Sequence, residues 1–286
     1  MQGNVEQMMQ ILASYALMIV VVMFVLFAIA EVVIPMNKNH GRLGFRWFTN
    51  VMLMFFTLGI YKLLGPVFAI LSALLADHLG LGLFNRVELS LPLVVLSGIV
   101  LIDFKQYWFH RLMHYFDALW RIHRVHHSDI EIDLTTGFRF HPVEAVLSVL
   151  FDLVLIAVFG IPAGVILLRY LLVFFFNFFS HGNIHIPAAL DRVLKWALVT
   201  PSMHHLHHAL NKRAANSNFG VFFSFWDRLF GTYMSEYPQT EKGEGEPGFA
   251  YGIREYREAG SLNLWLLTLM PFKAETTDQE DTSSDS

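Results

Sequence analysis

The stretch LSLPLVVLSGIVLIDFKQYWFHRLMHY, Leu89 to Tyr115, changes character halfway along. Leu89 to Ile102 is apolar, whereas the rest carries Asp103, Lys105, His110, Arg111 and His114. Read as one helix, it passes through a bilayer and leaves it bearing two histidines four residues apart. The composition agrees. Of 286 residues, 55% are hydrophobic and only 15% charged, where soluble domains carry about a quarter; the mean hydropathy is +0.47. A membrane protein is the expectation. There is no cysteine, which excludes disulfide scaffolds, thiolate metal sites and cysteine nucleophiles. The net charge of −4, much of it in an acidic tail, leaves no nucleic-acid footprint.

Toward the N-terminus, Ile11 to Ile34 is an apolar run closed by Pro35; at ~1.5 Å per residue it reaches roughly 36 Å, enough to span. Met1 to Gln10 holds no Lys or Arg, and the run is too long for a signal-peptide core, so a first transmembrane helix is expected, not a cleavable signal. A short basic loop with Lys38, Arg42 and Arg46 leads to a second apolar run, Trp47 to Ala76, where Gly59, Gly65 and Pro66 predict a kink. Beyond Tyr115 a polar, basic stretch runs from Asp117 to His141. Val143 to Phe179 is apolar again but broken at Gly160 to Pro162; each half has about 17 residues, so two short helices in a hairpin are expected. SLNLWLLTLMPF, near the end, is too short to span and should lie on the membrane surface. The tail KAETTDQEDTSSDS should be disordered.

Lys and Arg concentrate after the first helix and around Arg111, Arg121, Arg124 and Arg139, whereas the N-terminal segment and the Asp77 to Glu88 link are nearly free of them. The positive-inside rule then places the N-terminus outside and every histidine cluster on the cytoplasmic face. The predicted fold is all-α: a multi-pass membrane helical bundle with a cytoplasmic histidine-rich helical cap. A bacterial inner membrane suits it best, with the endoplasmic reticulum as the alternative.

Ten of the fourteen histidines fall in four clusters. These are His110 and His114; His123, His126 and His127; His181 and His185; and His204, His207 and His208. Spacings of three and four place side chains on one helical face, where two imidazoles can grip one ion. Adjacent residues such as His126 and His127 point about 100° apart and can feed two neighbouring ions. Ten imidazoles exceed the needs of one first-row ion, so two metals are expected; imidazole suits iron, zinc, copper and nickel. The clusters contain no Glu, unlike soluble di-iron bundles. His40 and His78 read as surface residues and His205 as facing away from the ligands. Ligating imidazoles need their second nitrogen oriented, and Asp103, His141, Glu144, Asn177, Asn183 and Asp227 are the candidates. Asp129 and Asp133 read instead as ion-pair partners of nearby arginines.

The motifs DFKQYWFHRLMH, LWRIHRVHHS, FRFHPVE, FFSHGNIHIP, TPSMHHLHHA and NFGVFFSFWDRLFGTY together resemble the fatty acid hydroxylase/sterol desaturase superfamily of integral membrane di-iron oxygenases. Carried over position by position, the resemblance implies that His110, His114, His123, His126, His127, His181, His185, His204, His207 and His208 are metal ligands. It further implies two Fe²⁺ ions, O₂ as co-substrate, and hydroxylation or desaturation of an unactivated C–H bond in a sterol or fatty acyl lipid. On this reading 1–90 are N-terminal transmembrane helices and 91–235 the catalytic domain; 236–272 form a polar segment with an interfacial helix, and 273–286 the tail.

No haem-attachment pattern, nucleotide-binding glycine fingerprint or fused carrier domain is present in the sequence. A separate electron donor is therefore expected, either a reductase or a ferredoxin-like or cytochrome b5-like carrier. Two rivals from other classes are a histidine-rich membrane metal transporter or metal-binding protein, and a histidine-based pH sensor. Transport favours ligands near the bilayer midplane, whereas these clusters lie beyond helix ends. A sensor needs imidazoles free to titrate.

Overall fold

A computed structural model describes residues 2–37, 43–237, 250–257 and 263–273. His40, Lys38, Arg42 and, apart from Lys273, the acidic tail lie outside the described residues.

The apolar runs become long helices. α1 spans Gln2–Val33, α2 Leu43–His78, and the short α3 Leu83–Arg86. α4, Leu91–Tyr115, is the single long helix its sequence predicts, with a proline in its first turn where a missing N–H costs nothing. α5, Asp117–His127, follows almost at once. The hairpin expected from the Gly160 to Pro162 break is present as α6, Pro142–Phe159, and α7, Ala163–His181. Gly160 closes α6 at φ 66°, a left-handed cap that glycine adopts without steric cost. Among the described residues three helical stretches are long and apolar enough to cross a membrane: Ser14–Val33, Leu91–Tyr115 and Pro142–Phe159. No strand is present among the described residues, only isolated bridges such as Pro35 to Ile184.

α2 lies along α6, α1 along α7, and α4 against α5. The remaining helices are short: α8 Ala188–Leu194, α9 Pro201–His207, α10 Lys212–Ala215, α11 Phe225–Leu229 and α12 Leu264–Leu269. α12 shows how a short apolar segment is used. It buries Leu267 against Leu53 and Val125, while Trp265 is 73% exposed.

Buried charge knits the histidine-bearing end together. Arg46 pairs with Asp129 at 2.7 Å and with Asp133 at 3.0 Å, and its guanidinium also reaches the Glu131 carbonyl. Burial opposes the charge on Asp129, but Arg46 and Arg139 outweigh it and hold the carboxyl below its ordinary range. Arg139 donates to the Val125 carbonyl, Ser128 and Asn50. Glu31, near the end of α1, accepts the backbone N–H of Leu134 and of Asn183, each at 2.7 Å. These bonds fix the 128–139 loop against α1 and α2, and with it the end of α5 that carries the histidines.

Candidate metal centre

Nine of the predicted ligands converge in two groups. His110, His114, His123, His127 and His207 form one; His126, His181, His204 and His208 form the other. Within each group one nitrogen per ring lies within 4.8 Å of all the others. α5 and α9 each serve both groups. On α5, His123 and His127 face one and His126 the other, as the 100° step between neighbours requires. On α9, His207 faces one and His204 the other, joined by His208 just past the helix end.

The first group is oriented from behind. The Nδ1–H of His110 donates to the Phe219 carbonyl at 2.9 Å, that of His207 to the Ser217 carbonyl at 2.7 Å, and that of His123 to Glu144 at 2.9 Å. With Nδ1 protonated, each Nε2 carries the lone pair. The Nε2 atoms of His110, His114, His123, His127 and His207 are all buried without a hydrogen-bond partner. A buried polar atom left unpaired costs about 1–3 kcal/mol, so five together describe a site shaped for a cation.

In the second group the Nε2 atoms meet directly. His204 and His181 approach to 2.9 Å; His181 and His126, and His208 and His204, to 3.2 Å. Metal–imidazole bonds of about 2.0–2.1 Å place neighbouring ligand nitrogens at roughly such separations. His181 is oriented by its Nδ1–H, which donates to the Asn177 carbonyl at 3.0 Å. Gly137 lies against this bond: a Cβ there would sit 3.1 Å from the Asn177 oxygen and 3.3 Å from Nδ1 of His181. Burial first, and the neighbouring imidazoles second, hold His126, His127, His204 and His208 well below the ordinary imidazole range. Burial lowers His207 to about 3. The rings are therefore neutral at physiological pH, the form that ligates metal. The donor set, all imidazole nitrogen, fits iron among other first-row ions.

His185 requires a correction to the expected set. α7 ends at His181, Gly182 leaves the helix, and Ile184 bridges to Pro35. The four-residue spacing is thus not helical, and His185 is exposed and belongs to neither group. His205 faces away from both groups: Nε2–H donates to the His181 carbonyl and Nδ1 accepts from the Tyr251 hydroxyl, both at 2.9 Å.

The orienting candidates divide. Glu144 holds His123 directly, and Asn177 holds His181 through its carbonyl. Asp103 accepts from the N–H groups of Phe222 and Phe223 and from Trp226, while Asp227 accepts from Phe219 N–H, Gly220 N–H and Thr232. Both carboxylates secure the 217–226 segment that supplies carbonyls to His110 and His207, and neither hydrogen-bonds a histidine. Asn183 binds the Asn37 backbone. His141 caps α6 and meets the Thr268 carbonyl. Asp129 and Asp133 are the ion-pair partners the sequence suggests, with Arg46 as the arginine.

Sequence reasoning missed Asn218. It has φ 55°, the one positive φ outside glycine among the described residues. Its neighbours Ser217 and Phe219 supply the carbonyls for His207 and His110. The available signal was NSNFG, since asparagine tolerates the left-handed region.

Residues 95–232 match a family model described as fatty acid hydroxylase. The chain is 32% identical over 143 residues to alkylglycerol monooxygenase of Xenopus tropicalis, covering 49% of this chain and 30% of that one. It is 29% identical over 140 residues to the ornithine lipid hydroxylase OlsE of Rhizobium tropici, covering 49% and 41%. It is 27% identical over 179 residues to lathosterol oxidase of Homo sapiens, covering 62% and 56%. The chain thus spans less than half the length of the first two relatives. No solved structure matches it.

Proposed function

The chain belongs, through residues 95–232, to the fatty acid hydroxylase family, and from that premise we propose that it is a membrane-bound di-iron oxygenase. In this reading it hydroxylates or desaturates an unactivated C–H bond of a sterol or fatty acyl lipid, using O₂ and electrons from a separate carrier. The observation that carries the proposal is the pair of nitrogen groups, five and four imidazoles, the five presenting inward Nε2 atoms with no hydrogen-bond partner and the four turning their Nε2 atoms toward one another. Two iron ions bound there would supply the O₂-activating redox chemistry that a saturated C–H bond demands.

The chain's own residues do the rest. Phe219, Ser217, Asn177 and Glu144 fix the tautomers, so that lone pairs face inward without rearrangement. The Glu144 carboxylate fixes the orientation of the His123 ring, the role such carboxylates play behind ligating imidazoles. Phe140 stacks on His126 at 4.4 Å, and Phe219 lies edge-on to His110, His114 and His207. These apolar walls exclude water from the site. We place it on the cytoplasmic face of a multi-pass bundle, with α1, α2, α4, α6 and α7 spanning. Residues 91–235 form the catalytic unit, the preceding helices an anchor, and 236–272 a polar segment with an interfacial helix.

Metal analysis of the purified protein should find two iron ions per chain. Lipid extracts from cells with and without the chain should differ by one oxygen atom, or by two hydrogens, in one lipid class. A metal-loaded protein that moves ions across liposomes and leaves lipids unchanged would overturn the proposal.

A further inference from the structure

Most exposed apolar side chains among the described residues lie along the long helices. Tyr115 and Phe116, 76% and 50% exposed, lie where one of these helices ends. They sit at the far end of α4, whose 25 residues extend about 37 Å against a hydrocarbon core of about 30 Å. An exposed apolar patch beyond the hydrocarbon core marks an interaction surface. Beside it lies Trp120, partly exposed on one side. On its other side the indole meets the rings of His114 at 5.0 Å and His127 at 5.3 Å, both members of the five-histidine group. The rim is basic. Arg121 follows Trp120 and is partly exposed. α10 is closed by Asn216; the next residue, Ser217, accepts from His207 and Phe219 lies 5.1 Å from the His114 ring, so the exposed Lys212 and Arg213 stand on a four-residue helix that ends beside the five-histidine group. The segments 111–121 and 211–216 hold four cations, Arg111 included, against one carboxylate, Asp117.

We propose that Tyr115, Phe116 and Trp120, ringed by Arg121, Lys212 and Arg213, form the docking surface for an acidic one-electron carrier protein, with Trp120 the entry point to the five-histidine group. The proposal rests on the oxygenase reading for its redox role. Hydroxylation consumes R–H, O₂, two electrons and two protons and yields R–OH and water. Each electron is lost by one reduced carrier, so two encounters serve one turnover. A partner used twice per turnover must leave quickly, and a charged rim around a small aromatic centre gives fast, salt-sensitive association.

The test uses the full chain in nanodiscs and an acidic [2Fe–2S] ferredoxin as probe. Its binding is measured by biolayer interferometry over a range of salt. The charge-reversed variant Arg121→Glu/Lys212→Glu/Arg213→Glu should bind at least tenfold more weakly and lose most of the salt dependence. In the iron-loaded protein, Trp120→Leu should slow reduction by the ferredoxin at least tenfold while reduction by dithionite stays within twofold. Unchanged ferredoxin binding in the charge-reversed variant overturns the docking surface. Equal slowing by ferredoxin and dithionite in Trp120→Leu, or slowing by neither, overturns the entry point. Iron-loaded wild type that accepts no electrons from dithionite refutes the oxygenase reading and the entry point together, whereas the binding arm still judges the surface.

Discussion

Asn218→Ala probes the least conspicuous support of the site. The Asn218 side chain makes three buried hydrogen bonds: Nδ2 donates to the Met203 carbonyl at 3.1 Å and the Met234 carbonyl at 2.9 Å, and Oδ1 accepts from Met234 N–H at 2.9 Å. Alanine removes all three and strands their partners, at about 1 kcal/mol or more each. It must also hold φ 55°, which alanine tolerates less well than asparagine by up to about 1 kcal/mol. The total is about 3–4 kcal/mol. For a chain of this size that corresponds to a fall in melting temperature of about 10 °C. The second consequence is specific to the site. Ser217 and Phe219 flank the substitution, so His207 and His110 lose their fixed orientation, and losing such support costs about 10- to 100-fold in metal affinity. Asn218→Gly relieves the left-handed penalty but adds chain entropy of about 1 kcal/mol, so it should fall near the alanine variant. Thermal unfolding in detergent and competitive Co²⁺ titration measure both effects. A variant that melts within about 2 °C of wild type and binds Co²⁺ equally well would refute the argument.

Glu144→Gln keeps the shape but removes the charge behind His123, and should weaken Co²⁺ binding about 10- to 100-fold with little change in membrane insertion. His185→Ala should retain full metal content by elemental analysis, because the ring is exposed and outside both groups; loss of one ion would restore it to the ligand set. His205→Ala should also keep its metal, yet melt lower, since two buried hydrogen bonds worth about 2 kcal/mol together are lost. The metal-free protein should lose stability as pH falls. Burial depresses the folded values of the cap histidines, to about 4 for His205 and about 3 for His207. The unfolded chain therefore takes up protons first, and each such group costs about 1.4 kcal/mol at pH 5.5 relative to neutral pH. Denaturation of the apoprotein at pH 7.5 and 5.5 measures this, and equal stability would contradict burial of the neutral rings.

The helices were legible because α4, α6 and α7 each announce themselves by apolar length, and the Gly160 to Pro162 break marks the hairpin. The grouping of the HRVHH histidines was legible because α5 is helical through His127, so residue spacing translates directly into angle. The same inference failed at HGNIH, where the helix stops at His181 and spacing no longer measures direction. The orienting groups were harder to read for a different reason. Glu144 carries a carboxylate that sequence can flag, but the carbonyls of Asn177, Ser217 and Phe219 belong to the backbone, which every residue possesses. The Arg46–Asp129 pair joins positions 83 apart, a separation over which local pattern carries no information.

Because α9 contributes to both nitrogen groups, neither can be finished until the ribosome has passed His208. An ion held in one group would immobilise those seven residues and so preset the other group, so filling of the two would be coupled through this one short helix.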